Sequence, residues 1–329
     1  MQITLAQPRG FCAGAIRAIK IVINALDQYG APVYVFHEIV HNRYVVENLK
    51  SKGSIFVESI NDVPEGAILI FSAHGVSTQV VQESESKKLR VIDATCPLIT
   101  EIHLRVAEFS RKGFEIVIIG HAGHPEIEGT LGRIDGPVHV LSSSAEVESL
   151  QVKRPDRLAY VTQTTLSYDD TLQIIKALKK RFRLNGPDLS NICYATQARQ
   201  KSVRILSSNI DRLLVVGGRN SSNSNRLREI GEQCGVASYL IENEDDLAPS
   251  WFSPDLHIGI TAGASAPEEM VYRVLERLKL WYPCSVREMP GAEIEPFILN
   301  RLKSERVYQE NQANHRSAGK TINVIRSHT

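Results

Sequence analysis

Residues 91–113 read VIDATCPLITEIHLRVAEFSRKG: an apolar run, a cysteine and a helical stripe in direct succession. The run from Val91 to Cys96 has the apolar, β-branched character of a strand, and Pro97 stands at the first helical position, where proline is tolerated. Ile99, Ile102, Val106 and Phe109 then recur down one side, and Gly113 supplies a stop. The same unit occurs twice more. GFCAG at 10–14 follows the strand-like ITLAQ and precedes a stripe of Ile16, Ile19, Ile23 and Leu26 that ends at Gly30. NICYATQARQ at 191–200 precedes Val203, Leu206 and Ile210, a thinner stripe that leaves the helix start open. Cys12, Cys96 and Cys193 thus hold one position in three thirds of the chain. That recurrence predicts three similar lobes meeting at a shared thiolate site.

Unpaired N–H groups and the positive dipole end at a helix N-terminus favour thiolate over thiol. Thiolates bind soft metals and iron–sulfur clusters. Against this, free cysteine is often buried for packing alone, and none of the three belongs to a CxxC pair. Spacing alone therefore defines no metal site. Cys234 and Cys284 lack the strand-to-helix setting and read as small core or surface residues.

Apolar runs alternate with helical stripes along the rest of the chain: PVYVF, AILIF, EIVIIG, VHVL, LAYVT, LLVVG, SYLIEN and HIGITA. This alternation predicts an α/β fold of small, mainly parallel sheets with helices on both faces. Lobes are expected over 1–96, 97–193 and 194–283, followed by a C-terminal segment over 284–329. The polar stretch from Arg301 onward is expected to be a disordered tail. In open α/β sheets ligands bind beyond the carboxyl ends of the strands, so chemistry is expected on the strand-end loops. Three of those endings, FSAHGVS, VTQTTLS and ITAGASAP, loosely resemble one another.

The chain has 329 residues, 43% of them hydrophobic, and a net charge of +1, which gives no electrostatic case for nucleic-acid or membrane binding. No apolar run approaches about 18 residues, and Met1 leads straight into a strand-like run. A soluble cytoplasmic protein is expected, and so few cysteines suit a reducing compartment.

IIGHAGHPEIEG presents His121, His124, Glu126 and Glu128 directly after a strand, and both residue types carry protons near neutrality when burial tunes them. Alone, this cluster is equally a hydrogen-bonded loop. His41 in EIVHNR and His74 in FSAHG, taken singly, read as structural. In GGRNSSNSNR, the residues Ser221, Ser222, Asn223, Ser224 and Asn225 follow Gly217 and Gly218 and could cradle an anion. The plainer reading is a polar turn with an N-cap. TAGASAP offers Gly263 and Ser265 in a similar turn, and neither segment matches a nucleotide fingerprint.

PRGFCAG, HEIVHNRYVV, ILIFSAHGVS, IDATCPL, IIGHAGHPEIEGT, VTQTTLS, ICYAT, GGRNSSNSNR and TAGASAP together closely resemble the 4-hydroxy-3-methylbut-2-enyl diphosphate reductase family, in order and separation, from Met1 to about residue 283. The resemblance implies three α/β lobes around one central [4Fe–4S] cluster per chain, with Cys12, Cys96 and Cys193 as ligands and one iron left open. It implies the two-electron, two-proton reductive dehydroxylation of an allylic diphosphate to isopentenyl and dimethylallyl diphosphate, the last step of the non-mevalonate isoprenoid pathway. Glu126 would supply protons and Thr164 would orient the substrate hydroxyl. The diphosphate would be held by His41, His74, His124, Ser221, Ser222, Asn223 and Ser265. Electrons would come from an external donor such as flavodoxin or ferredoxin, with no nucleic-acid or membrane partner.

Two departures from the family pattern stand out. Ile16 precedes Arg17 where the family commonly has an acidic residue, and REMPGAEIEPFILNR replaces the usual acidic, apolar C-terminal segment. A divergent paralogue acting as a non-catalytic iron–sulfur sensor is one alternative. A redox-neutral phosphotransferase or hydrolase using His124, Glu126 and the Ser/Asn cradle is another, and it would not need the cysteines.

Overall fold

Strand and helix alternate from the first residues. The structure, a computed structural model, describes residues 1–187 and 191–290. β1 (Gln2–Leu5), α1 (Ala13–Tyr29), β2 (Val33–Phe36), α2 (Arg43–Ser51), β3 (Ser54–Val57), β4 (Ile68–Phe71), α3 (Thr78–Ser86) and β5 (Arg90–Asp93) come first. They are followed by α4 (Pro97–Arg111), β6 (Glu115–Ile119), α5 (Pro125–Leu131), β7 (Val138–Leu141), α6 (Ser144–Ser149), β8 (Leu158–Thr162), α7 (Tyr168–Arg181) and β9 (Leu184–Asn185). The last group is α8 (Tyr194–Ser207), β10 (Arg212–Val216), α9 (Ser222–Gln233), β11 (Ala237–Ile241), β12 (His257–Ala262), α10 (Glu268–Trp281) and β13 (Ser285–Glu288).

The strands form three wholly parallel sheets, in the orders β3-β2-β4-β5, β7-β6-β8-β9 and β11-β10-β12-β1-β13. Helices cover both faces, because strands buried on two sides send successive apolar residues to opposite cores. In β6, Val117 and Ile119 join one core with Ile174 and Leu178 of α7, while Ile116 and Ile118 join another with Ile102 and Val106 of α4. None of the described helices is long and apolar enough to cross a membrane.

Three sequence expectations change. β1 pairs with β12 and β13, so the first strand completes the third sheet. Lobe limits drawn at 1–96 and 194–283 therefore fail at both chain ends, since β13 also lies beyond residue 283. The buried face of α1 is Ala15, Ala18, Ile21, Val22 and Ala25, whereas Ile16 is 40% exposed and Ile19, Ile23 and Leu26 are half-buried. Alanines make the closest contact of this helix with its sheet, flanked by Ile19, Ile23 and Leu26, which pack against the same core, so of the predicted stripe only Ile16 turns outward. The helix after Cys193 starts at Tyr194 and ends before Ile210. The expected tail from Arg301 lies outside the described residues.

Candidate functional site

Each sheet reverses its strand order once: between β2 and β4, between β6 and β8, and between β10 and β12. Such switch points open crevices at the strands' carboxyl ends. His41 follows β2 and His74 follows β4. His124 and Glu126 follow β6, with Thr164 after β8. Ser221, Ser222 and Asn223 follow β10, and Ser265 follows β12. The cysteines follow the next strand over, β5, β9 and β1. Their backbone N–H groups are held alike: Cys96 donates to Ala73 O at 3.0 Å, Cys193 to Thr164 O at 3.1 Å and Cys12 to Ala264 O at 3.0 Å. Those acceptors lie in FSAHGVS, VTQTTLS and ITAGASAP, so the loose likeness of the three loops is one recurring structural role. It also explains the displaced β1, which brings Cys12 to the third sheet.

All three cysteines are helix N-caps. Cys12 Sγ accepts from Ala15 N at 3.3 Å and Cys193 Sγ from Thr196 N at 3.3 Å, while Cys96 makes no side-chain cap bond. At Cys96 and Cys193 burial opposes the expected preference for thiolate. Burial pushes the Cys96 thiol up to about 12, with the Cys12 and Cys193 sulfurs adding to the rise. Burial likewise raises Cys193 against its Thr196 hydrogen bonds. Taking an uncompensated charge out of water outweighs a helix terminus. Among the described residues no group of His, Cys, Asp and Glu is arranged to grip a single metal ion, so fit rests on the thiols and the space they share. A Cβ on Gly14 would stand 3.0 Å from Cys96 Sγ and 3.8 Å from Cys12 Sγ, so a side chain there would intrude between the two thiols. Arg199, 4% exposed, donates to Gly10 O, Phe11 O and Ala195 O and has no ion pair among the described residues. A buried guanidinium without a carboxylate needs another anion. Three thiolates bound to iron supply one, so donor set and surroundings fit an iron–sulfur cluster.

The other end of the site consists of donors. His41 stacks on His74 with ring centroids 4.1 Å apart, and His124 stands edge-on to both at 5.4 and 6.1 Å. His124 Nδ1 caps α5 by accepting from Glu126 N at 3.2 Å, so the neutral ring carries its proton on Nε2, which is buried without a partner. His41 Nε2 is likewise buried and unpaired, and its Nδ1 lies 3.1 Å from Glu38 Oε2. Burial holds His74 well below 6.5, with His41 and His124 contributing, and brings His124 to about 4. Asn223 Oδ1 accepts from Ala264 N at 2.9 Å, which turns its unpaired Nδ2 donors into the site. Ser221 Oγ accepts from Ser224 N and Ser224 Oγ, leaving its own hydroxyl proton free. Ser224 fits under this loop because a Cβ at Gly217 or Gly263 would meet its Oγ at 2.2 or 2.0 Å. Ser265 differs: its hydroxyl already donates to His41 O at 2.9 Å and must rotate to serve a ligand.

Glu126 joins the two ends. It is 2% exposed and accepts from Thr164 N at 2.7 Å and from Thr164 Oγ1 at 2.9 Å. Burial raises its carboxyl to about 7 despite those bonds. Of the other residues flagged with it, His121 is exposed, and Glu128 is spent on Gly123 N. Residue types alone did not single out Arg199, Glu38, Gln163 or Thr165. Glu38, for example, ties His41 of the first lobe to Asn220 of the third at 2.8 Å. The quoted motifs contained all four, but each also has a partner distant in sequence: Gly10 for Arg199, Asn220 for Glu38, His121 for Gln163 and Ser222 for Thr165.

Residues 3–279 match the family model described as LytB protein. The chain belongs to the LytB family. A 4-hydroxy-3-methylbut-2-enyl diphosphate reductase of Zymomonas mobilis subsp. mobilis is 50% identical, with 100% of this chain and 98% of that protein covered. Its namesake in Shewanella oneidensis is 54% identical over 88% of this chain and 93% of that one. Among solved structures, the E-1-hydroxy-2-methyl-but-2-enyl-4-diphosphate reductase of Plasmodium falciparum superposes with a TM-score of 0.83 at 34% identity, covering 92% of this chain and 98% of that one. A second structure, of the terminal enzyme of the non-mevalonate pathway, gives 0.61 at 32% identity over 85% of this chain and 99% of that one.

Proposed function

We infer that this LytB-family chain is an oxidoreductase catalysing the reaction of its relatives, reduction of 4-hydroxy-3-methylbut-2-enyl diphosphate to isopentenyl and dimethylallyl diphosphate. The observation that carries the reading is Glu126. A carboxyl titrating near pH 7 lies between a cradle of unpaired donors and a loop that anchors one of three converging cysteines. A sensor has no need of such an acid, and a hydrolase has no need of the thiols.

Cys12, Cys96 and Cys193 would hold an iron–sulfur cluster, proposed as [4Fe–4S] with one iron open, which would pass on one at a time the two electrons each turnover needs and supply Lewis acidity. An external carrier of the flavodoxin or ferredoxin class would replenish the electrons. His41, His74, His124, Ser221, Ser222, Asn223 and, after rotation, Ser265 would bind the diphosphate through charge-assisted hydrogen bonds. Thr164 would turn its hydroxyl from Glu126 to the substrate's oxygen and orient it. The C–O bond breaks, Glu126 gives that oxygen a proton so that it leaves as water, and carbon receives the second proton with the electron pair. Anaerobic assay of iron-loaded protein with a chemical reductant tests the reading: both five-carbon diphosphates should form. Phosphate release without reductant would favour the hydrolase, and intact iron without turnover the sensor.

A further inference from the structure

The three helices that start at the cysteines share an outward ridge. Their first residues are Ala13, Pro97 and Tyr194, of which the first two are exposed and the third is half-buried. Three and seven positions further, on the same helical face, stand Ile16 and Lys20, Thr100 and Leu104, and Gln197 and Lys201. All but Thr100 are exposed, and Ile16 and Leu104 are large apolar side chains left 40% and 49% open. A helical side chain leans over the turn before it, so Ile16 covers the turn that begins at Cys12, whose carbonyl accepts from Ile16 N at 3.0 Å. Where α1 and α4 begin, the wall over the thiols is one backbone thick. Gly14 is half-buried, and a Cβ on it would stand 3.0 Å from Cys96 Sγ and 3.8 Å from Cys12 Sγ. Electron tunnelling weakens steeply with the thickness of intervening protein, so a glycine here shortens the path from solvent to the sulfurs. Charge around this window is one-sided. Arg17, Lys20 and Lys201 are exposed with no ion pair among the described residues, and Arg17 reaches Thr95 O at 3.1 Å, beside Cys96. α8 contains no acid, and the one acid of α1, Asp27, lies near its far end. The acids of α4, Glu101 and Glu108, pair with Arg105 and Lys112, while Asp93 ahead of that helix accepts from Thr95 N.

We propose that this face is the docking surface for a small acidic one-electron carrier protein, whose redox centre comes to rest over Gly14. Lys20 and Lys201 steer the carrier, and Ile16 and Leu104 seat it. This rests on the reductase reading and adds the place where its electrons enter. Each docking event transfers one electron from the reduced carrier to the thiolate-bound iron, the carrier leaves oxidised, and two events serve one turnover. Transient redox encounters of this kind are small in area and guided by charge. An acid at position 16 would repel such a partner, so Ile16 gives the departure from the family pattern a use.

The test is calorimetric titration of iron-loaded protein with an acidic [2Fe–2S] ferredoxin at low and high salt, with iron content and melting temperature recorded for each variant. Lys20→Glu/Lys201→Glu should weaken ferredoxin binding by at least about 10-fold, since one exposed pair is worth up to about 5-fold and reversal adds repulsion. Added salt should weaken wild-type binding and affect this variant much less. Ile16→Glu should weaken binding by roughly 3- to 10-fold. Turnover driven by dithionite, a small reductant that needs no docking, should keep its wild-type rate in both variants. Lys179→Glu/Lys180→Glu makes the same change in net charge on α7, which carries no cysteine, and should bind ferredoxin like wild type. Wild-type affinity in Lys20→Glu/Lys201→Glu, equal losses in the two double variants, or a matching fall in dithionite-driven turnover overturns the docking face. No dithionite-driven turnover in the wild type would instead remove the reductase reading, and the electron-entry role with it.

Discussion

At Cys96 burial raises a thiol to about 12, and at His124 it lowers an imidazole to about 4. The two groups occupy comparable places, each capping a helix beyond a strand end, and desolvation strips the charge from both. The difference lies in what would restore it. The thiol pocket has a buried guanidinium with no ion pair among the described residues, which suits the proposed iron core ringed by thiolates. The histidine and Ser/Asn pocket has unpaired N–H and O–H donors, which suit the proposed diphosphate. Each half presents the polarity that its proposed occupant would complement, and Glu126 lies between the two.

The largest effects expected are at the thiols. Replacing each of the five cysteines by serine in turn should abolish bound iron at Cys12, Cys96 and Cys193 and leave it unchanged at Cys234 and Cys284. Wild-type iron in the Cys193→Ser protein would break the comparison at its first half.

Next comes the junction. Glu126→Gln keeps an acceptor for Thr164 N but has no proton to give, so single-turnover reduction should slow by about 10²- to 10⁴-fold while iron and substrate binding persist. With the carboxyl raised to about 7, its protonated form is depleted above that pH, and wild-type turnover should fall as pH rises through it. A Gln variant reducing substrate at the wild-type rate would show Glu126 to be structural.

The cradle follows. Asn223→Ala removes buried donors aimed at the anion, and diphosphate affinity should drop by roughly 10- to 150-fold, the worth of about 1.5–3 kcal/mol for a charge-assisted bond. Unaltered affinity would take Asn223 off the list of ligands.

The smallest effect is on stability. His74 and His124 have folded-state values below 6.5. Between those values and 6.5 the unfolded chain binds more protons, so their contribution is complete above pH 6.5 and fades as pH falls toward about 4. Melting temperatures of metal-free protein should decline over that window, and added inorganic diphosphate should oppose the decline. A diphosphate effect equally large at pH 8 and pH 5 would contradict a role for histidine protonation.

Much of this was legible in sequence because the chemistry is placed by strand ends, and strands announce themselves. Pro97 and Gly113 marked α4 correctly, and the cysteine contexts foretold three lobes. The alanine face of α1 was not legible, since small residues carry little hydrophobic signal yet allow the closest packing. Nor was the membership of β1, because a parallel strand's partner can lie anywhere in the chain: Leu5 pairs with Ile260. Thiol ionisation was misjudged for a similar reason, as the helix terminus is local and burial is not. The contact of Thr165 with Ser222 was hidden because the two meet across 57 positions.

The central claim is that two independent half-sites, one for a cluster and one for an anion, flank a single acid. Cys96→Ser tests it most directly, because serine is itself a favoured N-cap and keeps the start of α4 while removing the thiol. Iron content and inorganic diphosphate affinity should be measured on one anaerobic preparation of this variant. The account predicts no bound cluster together with diphosphate affinity within a few-fold of wild type; retained iron, or loss of diphosphate binding in a protein that still melts cooperatively, would contradict it.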